Sequence, residues 1–231
     1  MADKTRIKRA ISGKALMKKR YKPVKTGPYT QLIGGIDGNC TITAYGPSGM
    51  GKSVFILKLA NHLAGAFGKV LYNSHEEALN KSLQDRVRNF VPNLHHKVYF
   101  ADSWPFETML QKIKVNKYRV LVIDSVQYMR FTAEQLKTLR ETYKKRQIIV
   151  IMVSFGTALG KTRGADDLLH DSDVKLYFSK GKVYSQSRYM GNALVTQKLF
   201  EATEIPAMDG QPAGEPEPDL FNAQPVTNES N

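Results

Sequence analysis

The sequence predicts an α/β protein with a mostly parallel central sheet, helices on both faces and a β-hairpin near its C-terminal end. Two observations predict it. Short apolar and β-branched runs at 40–45, 69–73, 98–101, 119–124 and 147–153 alternate with stretches of helical apolar spacing, an order that joins parallel strands through crossover helices. Later runs at 174–178 and 183–188 flank Ser179-Lys180-Gly181-Lys182 instead, which reads as an antiparallel hairpin.

Composition sets the outer limits. At 231 residues one domain with tails is expected. Cys40 is the single cysteine, so a disulfide framework and a cysteine zinc site are both excluded, and a reducing cytoplasm is the expected compartment. The longest wholly apolar run, Ile148 to Val153, is far too short to cross a membrane. The net charge of +13 is unevenly spread. Residues 1–25 hold ten Lys/Arg against Asp3 alone, residues 201–231 hold seven acids and no Lys/Arg, and 26–200 hold 24 basic against 13 acidic residues. A core this basic favours a polyanionic partner, nucleic acid first.

In chain order, Ile7, Ile11, Ala15 and Leu16 allow a short basic amphipathic helix in an N-terminal arm, 1–25. The run 32–39 is a Gly-rich lead into the first strand, Cys40 to Tyr45. Gly46-Pro47-Ser48-Gly49-Met50-Gly51-Lys52-Ser53 follows and fits G-x-x-x-x-G-K-[ST]; Val54 and the apolar residues after it then continue as a helix. The glycines let successive backbone N–H groups turn toward phosphate oxygens at a helix N-terminus. Lys52 is expected to reach the outer phosphates, and Ser53 to hold Mg²⁺. The segment Gly46–Val54 is thus the expected binding site for ATP.

The second strand ends in Ser74-His75-Glu76-Glu77, before a helix with Leu83, Val87 and Phe90. Either glutamate could activate water, and either could simply complement a helix N-terminus. The fourth strand ends in Asp124 after four apolar residues, the form of a carboxylate that holds Mg²⁺. Thr132-Ala133-Glu134-Gln135 is a capping-box signature opening a helix. Ser154, at the end of the apolar fifth strand, is a candidate sensor of the terminal phosphate. His95-His96 reads as a loop. From Glu201 on, the chain is rich in Pro, Glu, Ala and Gly and is expected to be a disordered acidic tail.

Together, Gly46–Ser53, Val70–Glu77, Val122–Gln127 and the stretch from Gly164 to Gly191 resemble the RecA-superfamily ATPases, in particular the branch of RadA and the DnaB helicase. The resemblance spans about 26–192 and implies a RecA-like P-loop NTPase core, taken here as 26–200. It implies Glu76 as the catalytic glutamate and Asp124 as the Mg²⁺ carboxylate. It implies a homo-oligomeric ring or filament in which Arg188, after the hairpin, reaches a neighbour's ATP. The family's Lys-Asn-Arg stands here as Gln186-Ser187-Arg188, without the lysine. DNA, single-stranded by preference, would meet the loops after the fourth and fifth strands, at Arg130, Lys161 and Arg163. RadA's zinc ribbon has no counterpart, since there is no CxxC. The expected function is a Mg²⁺-dependent ATPase acting on DNA in recombination, repair or replication, with the acidic tail as a contact for a protein partner. The alternative is a KaiC-like ATP-driven oligomeric switch that acts on a protein without DNA.

Overall fold

In the computed structural model, which describes residues 10–157 and 165–196, the apolar runs become strands whose two faces are both covered. The parallel strands are β1 (Thr41–Gly46), β2 (Val70–Ser74), β3 (Val98–Asp102), β4 (Val120–Asp124), β5 (Ile149–Phe155) and β6 (Val174–Ser179). Two antiparallel strands follow, β7 (Lys182–Ser187) and β8 (Gly191–Thr196). They form one sheet in the order β3-β2-β4-β5-β1-β6-β7-β8.

The pleat sorts each continuous apolar run into two opposed sets. Val70, Tyr72, Val120, Val122, Ile149 and Ile151 face α3 (Lys52–Ala66), which supplies Phe55, Ile56, Leu59 and Leu63. Leu71, Leu121, Ile123, Val150 and Met152 face α5 (Phe106–Asn116) and α7 (Ala133–Tyr143), which supply Met109, Ile113, Leu136 and Leu139. Each such side chain, fully withdrawn from water, contributes about 1.5–3 kcal/mol before entropy is counted. Helix α7 starts where the sequence places it: Thr132 and Gln135 form a reciprocal capping box.

Register aligns the site. Ser74 pairs with Asp124, Asp124 with Val153, and Gly46 with Phe155. The ends of β1, β5, β4 and β2 therefore lie along one edge, the crevice where ligands bind in open parallel sheets. Strand β5 stands between the P-loop strand and β4.

Three features differ from the sequence reading. The hairpin turn is tighter than expected: β6 and β7 leave only Lys180 and Gly181 between them, both at positive φ (47° and 71°), the signature of a type I′ turn. A further antiparallel strand, β8, extends the sheet; its burial pattern is too open to stand out as an apolar run. The N-terminal helix, α1, is only Gly13–Met17 and buries nothing, with Ile11 and Leu16 about half exposed. Ile7, Lys161, Arg163 and the acidic tail from Glu201 lie outside the described residues. Among the described residues no helix is long and apolar enough to cross a membrane.

Candidate functional site

The loop between β1 and α3 is shaped by its glycines at two points. Gly46 has φ 141°, and a Cβ there would lie 2.4 Å from the Phe178 carbonyl oxygen of β6. Gly51, the N-cap of α3, sits at φ 78° in the left-handed region. Lys52 then starts α3 and is buried. Its Nζ donates to the Gly46 carbonyl (2.9 Å) and the Pro47 carbonyl (2.6 Å), so it curls back over the loop. Burial lowers its pKa, while Glu76 and Asp124 act in the opposite direction.

Asp124 ends β4 and is almost fully buried. Its Oδ2 accepts a 2.5 Å hydrogen bond from the Tyr72 hydroxyl, which comes from the neighbouring strand β2. Its Oδ1 is buried and makes no hydrogen bond. Burial pushes this carboxyl up, and the nearby Tyr72 and Ser53 hydroxyls, then the Arg86 guanidinium, oppose the shift. A buried carboxylate oxygen left without a partner costs free energy unless something cationic meets it. Mg²⁺ fits: it is held by one or two carboxylates together with phosphates and water, and Asp124 Oδ1 and the Ser53 hydroxyl are such donors. Among the described residues no group of three His, Cys, Asp or Glu side chains forms a metal cage by itself, as that mode requires none.

The two glutamates after β2 part company in the structure. The carbonyl of Asp124 accepts from the backbone N–H of His75 (2.6 Å) and of Glu76 (3.2 Å), which fastens this segment to the end of β4. Glu77 is taken up: its Oε1 accepts from Ser82 (3.0 Å) and from Arg86 (2.5 Å). Glu76 remains as the glutamate at the pocket without a fixed cation. Burial, then Asp124, then Glu77 push its carboxyl up, against Lys52 and Arg86.

The resulting cavity of about 350 Å³ is lined by Ser48–Val54, Glu76, Glu77, Arg86, Val153 and Phe155. It can take an anion against backbone N–H groups and one lysine, with a carboxylate facing it from across the crevice.

The remaining sequence-predicted residues lie elsewhere. Ser154 is buried between Val153 and Phe155, and its hydroxyl accepts from Gln127 Nε2 (2.8 Å), while the Phe155 N–H donates to Gln127 Oε1 (3.1 Å). Gln127 thus ties the loop after β4 to the end of β5. In that loop Val126–Met129 forms the short helix α6, capped by Arg130 at φ 52°. Tyr128 and Arg130 are exposed, but Phe131 is core. Arg188 sits after β7, level with the beginning of β1 and so at the sheet edge away from the P-loop. Its guanidinium donates to Asp173 Oδ1 (3.0 Å), and Asp173 Oδ2 accepts from the Thr41 N–H. It does not join this chain's own pocket.

The sequence reading missed Tyr72, Arg86 and Gln127. Tyr72 is hidden in a continuous apolar run. Arg86 is brought to the pocket only by the path of α4 (Lys81–Phe90), and Gln127 by a contact across two strands.

Residues 37–161 match the AAA domain family. The chain is 30% identical over 161 residues to the DNA repair protein RadA of Campylobacter jejuni and 29% identical over 205 residues to that of Mycolicibacterium smegmatis. These matches cover 64% and 80% of this chain but 35% and 42% of those proteins, so the chain spans well under half the length of these relatives. In fold it is similar to a KaiC-like protein from Pyrococcus horikoshii (TM-score 0.51, 18% identity, 76% of this chain and 92% of that one). It is equally similar to the flagellar accessory protein FlaH from Methanocaldococcus jannaschii (TM-score 0.54, 16% identity, 79% and 97%). With the P-loop, the strand order and these relatives in agreement, the chain belongs to the AAA-domain P-loop ATPases, as a member of the RecA superfamily related to RadA.

Proposed function

We propose that this protein is a Mg²⁺-dependent ATPase that assembles with copies of itself and acts on DNA. The observation that carries the nucleotide part is one cavity bounded by the P-loop, Lys52, Ser53 and Glu76, beside the unpartnered Oδ1 of Asp124. In this reading the backbone of Gly46–Val54 cradles the phosphates, and Lys52 leaves its two carbonyls to reach the outer ones. Ser53 and Asp124 would hold Mg²⁺, which when bound neutralises charge on the phosphate oxygens. Glu76 orients a water and takes its proton. Arg188 of one copy serves the nucleotide of the next, since it lies too far around the sheet to serve its own.

Support for DNA comes from the RadA relatives, whose name is DNA repair protein, and from the basic residues 26–200. Exposed Arg130 and Tyr128 stand at the same sheet edge as the pocket, where a backbone phosphate and a stacked base suit them. Lys161 and Arg163 are assigned the same role on sequence grounds. The test is ATP turnover with and without single-stranded and duplex DNA at two salt concentrations. Stimulation of tenfold or so by single strands, falling steeply as salt rises, is the expected result. Turnover that ignores DNA at both salts would discard the DNA role and point to a switch acting on a protein.

Tyr72 supplies a second test. Its hydroxyl holds Asp124 Oδ2, so that Oδ1 is the oxygen left for Mg²⁺. Tyr72→Phe keeps the ring against Phe100 (centroids 5.5 Å apart) and removes only the bond to the carboxylate. Hydrogen bonds to charged groups contribute about 1.5–3 kcal/mol, so the Mg²⁺ needed for half-maximal nucleotide binding should rise about tenfold. Titration of a fluorescent nucleotide against Mg²⁺ measures it, and an unchanged midpoint would remove Tyr72 from the site.

A further inference from the structure

The pocket contains an ion pair that the proposed chemistry leaves unused. Asn80 caps α4, its side chain accepting from the Leu83 N–H, and this sets the phase of the helix. Leu83 is buried, and Arg86, three residues on, comes out beside it on the pocket wall. There Arg86 Nη2 donates to Glu77 Oε1, with both side chains about four-fifths buried. The pair is incomplete on each side. Glu77 Oε2 is buried with no hydrogen bond. Arg86 uses one N–H, although a guanidinium has five in a fork that fits two oxygens of a phosphate.

The other cation of the cavity, Lys52, is occupied by the loop carbonyls. Three carboxylates, Glu76, Glu77 and Asp124, stand close together here: on top of burial, Asp124 and Glu77 both push the Glu76 carboxyl up, and Glu77 pushes that of Asp124 up. A triphosphate entering here adds negative charge to a wall that already carries an excess of it. A guanidinium on that wall, held by a single bond, is the group best placed to answer.

We propose that Arg86 lets this site tell a nucleoside triphosphate from a diphosphate: it exchanges Glu77 for the terminal phosphate, which ADP lacks. The inference rests on the nucleotide-binding reading above. It makes Arg86 a specificity-determining residue supplied by the same chain, and Glu77 its resting partner.

The experiment is calorimetric titration of the full chain with ADP and with a non-hydrolysable ATP analogue, both with Mg²⁺, for wild type, Arg86→Ala, Arg86→Lys and Glu77→Gln. Arg86→Ala is expected to weaken the ATP analogue about tenfold or more and to leave ADP within about twofold. Arg86→Lys, which keeps the charge without the fork, should weaken the analogue several-fold; it also carries the test if the alanine variant does not fold. Glu77→Gln should tighten the analogue, because Arg86 no longer has to give up a charged partner. Equal loss of ADP and analogue in Arg86→Ala would overturn the proposal. So would a Glu77→Gln that weakens the analogue as Arg86→Ala does, since the pair would then be a strut. Wild type that binds neither nucleotide, or Lys52→Ala that binds both as wild type does, would bring down the nucleotide reading itself, and this proposal with it.

Discussion

Glu76→Gln is expected to bind ATP and all but stop hydrolysing it, with turnover down about 10²–10⁴-fold, the usual contribution of a positioned general base. The substitution is nearly isosteric and keeps the backbone N–H of residue 76 on the Asp124 carbonyl, so the pocket should hold its shape. What it removes is a carboxylate that burial and its acidic neighbours have made more basic than usual, the quality a proton acceptor needs. Glu77 cannot take over from the position it holds: even with Arg86 turned to a phosphate, Ser82 still donates to its Oε1, and its Oε2 is buried away from solvent. Single-turnover phosphate release, alongside nucleotide titration, separates the two effects. Wild-type turnover in Glu76→Gln would move the base elsewhere.

Lys52→Ala is expected to lose both binding and turnover. Charge-assisted hydrogen bonds to phosphate are worth about 1.5–3 kcal/mol, so affinity should fall by about 10- to 100-fold and turnover by more. The variant should still fold. In this structure Lys52 makes two hydrogen bonds to the backbone carbonyls of Gly46 and Pro47, and losing them costs about 1–3 kcal/mol net, or roughly 2–12 °C in Tm for a chain of this size. Thermal melting followed by circular dichroism distinguishes this from collapse. Affinity within twofold of wild type would show that the loop binds phosphate without its lysine, and the P-loop reading would fall.

Much of this site is legible in the sequence because the chemistry of a phosphate cradle is local. Gly46, Gly51, Lys52 and Ser53 act through backbone angles and side chains within one turn, so their spacing carries the information. The capping box at Thr132 and Gln135 is local in the same way. The choice between Glu76 and Glu77 is not. It rests on Arg86, which lies nine residues beyond Glu77 on a helix of its own. The hidden hydroxyl of Tyr72 and the clamp of Gln127 on Ser154 and Phe155 likewise cross between strands. The loop after β4 shows the limit from the other side. Arg130 is expected at DNA and is indeed exposed, as is Tyr128, yet its chain neighbour Phe131 is turned into the core just after α6.

The sequence by itself determined the class of fold, the alternation of strands and helices, and the place of the phosphate loop, since periodicity and turn chemistry act over a few residues. Only the tertiary structure decided the strand order that puts β5 between β1 and β4, the added strand β8 and the distance of Arg188 from its own pocket. It also decided which carboxylate is clamped and which is left free. Those are matters of which elements pack side by side, and that follows from burying both faces of the sheet at once, a condition on the whole chain that no short stretch of it expresses.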